Sequence, residues 1–198
     1  MSTTLTHQLT LKEFLKLPNL DASPAWEYVS GEATQKPMPK VRHSVLQKRL
    51  LREVDDPEGN YLTLPELRCT FGGRSIVPDV AVVSFDKLVL DELGEPEDNF
   101  PQAPDWSIEI LSPDQSTNRV IDNLLHCLNH GSQLGWLVDP GDRSVLVLTP
   151  PKAIAVCRGE QQLQMLERFG LRLTAQEIFS WLDLRQRSSS NPEAEFSD

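Results

Sequence analysis

Two acidic residues stand in segments whose neighbours are almost all apolar. Asp79 interrupts the run Ile76-Val-Pro-Asp-Val-Ala-Val-Val-Ser-Phe85, and Glu109 interrupts Trp106-Ser-Ile-Glu-Ile-Leu111. Burying an isolated carboxylate is costly unless something pairs with it. If the two segments are neighbouring strands, the acids come close, repel, and become tolerable when one hard divalent cation takes both. Mg2+ favours one or two carboxylates completed by water and phosphate oxygens, and a bound ion activates water for phosphodiester hydrolysis. The same acids could instead each hold a backbone amide or an arginine at a strand end. Periodicity leaves both readings open.

The residues between 41 and 54 have helical spacing. Leu46, Leu50, Leu51 and Val54 follow His43 at offsets that put His43 at the start of the inward stripe. A helix over roughly 118–130 carries Val120, Ile121, Leu124, Leu125, Cys127 and Leu128 on one side. Arg119, Asn123, His126 and His130 fall on the other side. His126 and His130 lack a carboxylate at metal-binding spacing and read as surface residues.

The remaining elements follow from turn and cap signals. Thr10 and Glu13 have capping-box spacing for a short helix over 8–16, which Pro18 stops. Trp26–Ala33 reads as a hairpin turning at Gly31, and 61–71 and 76–85 read as strands joined at Gly72-Gly73. Residues 86–105 form an acidic loop. Further strands are expected at 106–111, 134–139, 144–149 and 153–156, with a last helix over about 174–184. This order gives an α/β (α+β) chain with a mixed sheet flanked by helices. Residues 1–184 read as one domain and 185–198 as a disordered polar tail.

Composition bounds the chemistry. The 198 residues carry a net charge of -10, which is unusual for a nucleic-acid binder, since phosphate neutralisation dominates such affinity. The charges are segregated, however. Lys36, Lys40, Arg42, Lys48, Arg49 and Arg52 lie in a stretch without acids, which reads as a solvated helix face or a phosphate track. Cys69, Cys127 and Cys157 are odd in number and lack CxxC spacing, so they are expected to be reduced. No apolar run approaches the ~20 residues that span a bilayer, and the start lacks a signal-peptide plan. A cytoplasmic location with no membrane association is the expectation. The absence of G-x-G-x-x-G, G-x-x-x-x-G-K and G-x-S-x-G patterns argues against a nucleotide cofactor or a serine hydrolase.

Four segments together resemble the Uma-two type restriction endonuclease family, a branch of the PD-(D/E)xK superfamily. They are Trp26-Glu-Tyr-Val-Ser-Gly-Glu32 followed by His43, Val77-Pro-Asp-Val-Ala-Val-Val83, Pro104-Asp-Trp-Ser-Ile-Glu-Ile-Leu-Ser-Pro113 and His130-Gly-Ser-Gln-Leu-Gly-Trp-Leu-Val-Asp-Pro140. The resemblance runs from about residue 10 to 182. It implies a restriction-endonuclease-like core, Asp79 and Glu109 as ligands of Mg2+ or Mn2+, DNA as substrate, and accessory polar groups at Glu27 or Glu32 and at His43. It also implies a lysine on the helix after the Glu strand. Here Asn123 stands at that position, and Arg119, one turn earlier, could supply the charge instead.

Three hypotheses follow. The first is a metal-dependent DNA endonuclease, with a homodimer plausible because cutting both strands usually needs two sites. The second is a catalytically weak or inactive nuclease-fold protein that binds nucleic acid or a partner. The third is a protein-interaction scaffold that uses the net acidity.

Overall fold

Thr10 caps a one-turn helix, α1 (Leu11–Phe14), through the expected reciprocal bonds with Glu13. The computed structural model describes residues 9–56, 58–113, 115–170 and 172–185. The expected tail therefore lies, beyond Arg185, outside the described residues. Next come β1 (Trp26–Val29) and β2 (Glu32–Gln35), the predicted hairpin, then α2 (Val41–Glu53).

The segments expected as two long strands are four short ones: β3 (Tyr61–Pro65), β4 (Cys69–Phe71), β5 (Arg74–Ile76) and β6 (Val80–Ser84). Pro78 explains one break. A proline offers no N–H to a ladder and restricts the residue before it, so the chain leaves one sheet at Ile76 and enters another at Val80. Asp79 therefore sits at the joint between strands rather than inside one. Pro65 ends β3 in the same way.

The chain continues through β7 (Trp106–Ile110), α3 (Thr117–Asn129), β8 (Leu134–Asp139), β9 (Ser144–Thr149), β10 (Ala153–Arg158) and α4 (Ala175–Ser180). α4 is shorter than expected and begins at a second capping box, Thr174 with Glu177. Among the described residues the strands form a six-stranded sheet, β10-β9-β8-β7-β6-β3, and a four-stranded sheet, β2-β1-β5-β4. The pair β7–β8 is parallel and needs a crossover, which α3 provides. The other pairs are antiparallel. The mixed sheet with flanking helices is as expected.

Alternation along the strands gives each face of the large sheet a cover. Val80, Val82, Trp106, Ile108, Trp136 and Val138 join Leu46, Leu50 and Val54 of α2 in one apolar cluster, which also holds Ile178 and Phe179 of α4. Leu137 and Leu148 face the other way, onto Val120, Leu124 and Leu128 of α3. The small sheet leans on that second face, where Phe71 and Ile76 meet Ala81 and Val83. Trp106 and Trp136 pack edge to face at 4.6 Å. No helix among the described residues is long and apolar enough to cross a membrane.

Candidate metal-ion site and its lysine

The register between β6 and β7 explains why the two acids meet. Val80 pairs with Ile108 in an antiparallel ladder. Asp79 precedes Val80 and Glu109 follows Ile108, so the ladder brings both acids to the same end of the β6–β7 pair. Glu109 shares its strand face with Ser107, whose Oγ lies 3.6 Å from Cys127 Sγ of α3. Both carboxylates are 3% exposed.

They converge on one atom. Lys36 Nζ donates to Asp79 Oδ1 at 2.7 Å and to Glu109 Oε2 at 3.0 Å. Its third bond goes to the carbonyl of Val77 at 2.8 Å. Lys36 follows β2, where its backbone N–H still bonds Ala25 O, and the side chain passes beneath the joint at Val77-Pro-Asp79. Lys36 carries no periodic signal in the sequence. It reads as one more residue of the basic stretch, set off only by Pro37 and Pro39.

Asp79 is held from several sides. Ile110 N–H donates to Oδ2 at 2.7 Å, and His43 Nε2 lies 3.0 Å from the same oxygen. The Asp79 carbonyl accepts from Gln47 Nε2 at 2.9 Å. His43 thus faces inward, as the α2 stripe requires, and among the described residues its Nδ1 has no hydrogen-bond partner. The strand-end reading of Asp79, a carboxylate holding a backbone amide, is true of one oxygen. The other points at Lys36.

The first hairpin contributes Glu27, 6% exposed. Its Oε1 accepts from Val77 N–H at 3.0 Å and its Oε2 from Asn123 Nδ2 at 3.3 Å. Glu32 does not join the group: it pairs with Val29 beside the hairpin turn and is exposed. Asn123 was expected on the polar side of its helix. It is buried instead, because the small sheet covers that side, and Arg74 NH1 lies 3.4 Å from its Oδ1. Arg119 donates to Thr34 Oγ1 at 2.8 Å, so it ties α3 to β2.

His126 corrects the surface expectation. It is buried, stacked on Phe71 at 4.9 Å, with Nε2 3.2 Å from the Phe71 carbonyl. His130 is exposed and lies edge-on to the same ring at 5.4 Å. The Gly72 turn fits under these rings because it lacks a side chain, since a Cβ there would collide with the His130 imidazole.

Charge is unevenly shared. Burial alone would lower the Lys36 pKa, but Asp79, Glu109 and Glu27 outweigh it and hold the ammonium above its usual value. Burial likewise works against Asp79, yet Lys36 and His43 keep its carboxyl below the ordinary range. Glu109 goes the other way. Burial raises it, and Asp79 and Glu27 add to the rise beyond what Lys36 offsets.

The residues fit a divalent ion on the chemistry of the donors. Two oxygens from different carboxylates already reach a common cation, and Mg2+ or Mn2+ needs only one or two such ligands with water. Among the described residues no group of three or more His, Cys, Asp or Glu side chains is placed to hold a metal ion, so an ion here would rest on the two carboxylates and water. Beside the site opens a cleft of about 580 Å3, lined by Lys40, Arg42, His43, Ser112, Gln115 and Thr117 among others.

Residues 11–179 match the model of the family Uma2, described as "Putative restriction endonuclease". The chain belongs to the Uma2 family. A solved structure, described as a "putative nuclease belonging to DUF820" from Anabaena variabilis ATCC 29413, is 42% identical in sequence and superposes with a TM-score of 0.83. The match covers 88% of this chain and 99% of that one. No curated protein matches. The two-sheet architecture is thus that of a restriction-endonuclease-like nuclease, and this Uma2 chain belongs with nucleases.

Proposed function

We propose that this Uma2 chain is a divalent-metal-dependent endonuclease that hydrolyses phosphodiester bonds in DNA, with Asp79 and Glu109 as ligands of Mg2+ or Mn2+. The observation that carries the reading is that both carboxylates end on one cationic atom, Lys36 Nζ. A bound ion would lower the pKa of a water and neutralise charge developing on phosphorus. The chain's own residues then have distinct tasks. Ile110 N–H and His43 fix the orientation of Asp79, and Glu27 holds the Val77 backbone that leads into it. Asn123 and Arg119 act on this reading as positioning residues, since their hydrogen bonds join α3 to the hairpin.

DNA would approach along α2. Lys40, Arg42, Lys48 and Arg52 are exposed along the start and outer side of that helix, and the cleft beside His43 opens between its first turn and the loop after β7. Such a local basic surface can bind phosphate despite the net charge of -10. Cutting both strands would bring two copies together. The three cysteines are unpaired and buried, in keeping with a reducing cytoplasm.

A second reading is favoured by Asn123. The amide brings no charge to the position where the family resemblance implies a lysine, so a DNA-binding member that does not cleave would keep this architecture. Titrating Mn2+ into the wild type and into the Asp79→Ala/Glu109→Ala variant, followed by plasmid nicking, separates the two. The endonuclease reading expects binding and nicking in the wild type only. Binding without nicking leaves the non-cleaving protein, and no difference between the two proteins overturns the metal site.

A further inference from the structure

Lys36 holds the place that a divalent ion would need. Its ammonium has three N–H donors, and all three are spent: on Val77 O at 2.8 Å, Asp79 Oδ1 at 2.7 Å and Glu109 Oε2 at 3.0 Å. The side chain is only 12% exposed and each carboxylate side chain 4%. An ion ligated by both acids through these two oxygens would take the position the ammonium holds. At that distance a dication and an ammonium repel, and the two cations cannot share the position.

We propose that Lys36 is an internal cation that competes with the divalent ion for Asp79 and Glu109, so that metal binds only as Lys36 withdraws. This rests on the reading of the two acids as metal ligands, and adds a residue that no motif marks. Two further features agree with it. Lys36 reaches the site from the strand end of the first hairpin, not from α3, so its withdrawal need not disturb the ladder that aligns the acids. The chain on its far side is Pro37-Met-Pro39, which joins β2 to α2 outside both sheets. Without metal, the lysine offsets the repulsion of the buried acids and holds the joint at Asp79. With metal, that task passes to the ion. Apparent metal affinity is then reduced by the fraction of molecules in which the acids are free of Lys36.

The test titrates Mn2+ into the full chain by calorimetry, comparing the wild type with Lys36→Met and Lys36→Gln, and records thermal midpoints with and without Mn2+. The glutamine keeps a donor for the Val77 carbonyl, so it serves if the methionine variant fails to fold. Competition predicts Mn2+ binding at least roughly ten-fold tighter in the variants, as for a protein whose free site is populated about a tenth of the time. It also predicts a lower midpoint without metal and a larger rise on adding Mn2+ than in the wild type. Equal or weaker binding in the variants, with the wild type still binding, overturns the competition and leaves the metal site standing. Binding in the variants but not in the wild type supports competition and removes the ion-loaded wild type from the proposed function. Absence of binding in all three overturns both. Binding that survives Asp79→Ala/Glu109→Ala lies elsewhere and overturns both as well.

Discussion

Asp79 and Glu109 flank the Val80–Ile108 pair and share the Lys36 ammonium, yet their surroundings give them opposite electrostatic characters. Asp79 receives the Ile110 N–H, His43 and Lys36, whereas among the hydrogen bonds of Glu109 is the one from Lys36 that Asp79 shares. One acid is held ionised and the other is pushed towards its neutral form.

This asymmetry predicts unequal costs of removal. Asp79→Ala strands the Ile110 amide and takes one of two carboxylates from Lys36, and breaking such a buried pair costs about 3–5 kcal/mol. Glu109→Gln removes a charge that burial already disfavours and should cost about 1 kcal/mol. Urea denaturation of both variants without metal checks the order. A larger loss in Glu109→Gln would contradict it.

Metal binding should release protons. A carboxylate must be ionised to ligate, and Glu109 has a pKa raised above the ordinary glutamate value of about 4.3. Because its folded pKa is raised, Mn2+ affinity should fall as pH drops, starting above the range in which an exposed glutamate titrates. Calorimetry in buffers of different ionisation enthalpy reads the released proton directly, and Glu109→Gln should abolish it.

His43 contacts Asp79, one of the two proposed ligands, at 3.0 Å. Removing an outer partner of a metal ligand typically costs about 10–100-fold in affinity or activity. We expect His43→Ala to weaken Mn2+ binding or nicking by that factor, with the far-ultraviolet circular dichroism unchanged. An unaltered titration would show that the remaining partners of Asp79 orient it without His43.

The exposed cations of α2 should govern salt dependence. If Lys48 and Arg52 neutralise phosphates, each alanine substitution lowers the slope of log K against log[salt] by about 1. Fluorescence anisotropy with duplex DNA between low and physiological salt measures this. Identical slopes would place the DNA on another surface.

The cysteines should be inert in the folded chain. Burial pushes the Cys127 thiol up to about 12 and that of Cys69 well above normal, and it also raises Cys157. With so little thiolate, Cys127 should react with a disulfide reagent at pH 8 roughly a thousand-fold more slowly than a free thiol of pKa about 8.5. Denaturant should make all three thiols react.

Much of this was determined by the sequence alone, wherever the signal is local. The Thr10–Glu13 cap, the inward stripe of α2 beginning at His43, the Gly72-Gly73 turn and the isolation of Asp79 and Glu109 among apolar neighbours depend on residues within a turn or two of each other. Only the tertiary structure decided what those acids face. Lys36 meets Glu109 across 73 residues, and no periodicity links a lysine after a hairpin to a glutamate on a later strand. The same holds for Asn123 and His126. A helical wheel puts them on the polar side, but the second sheet covers that side and turns solvent positions into buried ones. Helical spacing tells which residues share a face. What packs on that face is set by the crossover of α3 and the break at Pro78, which bring distant segments together to bury apolar surface.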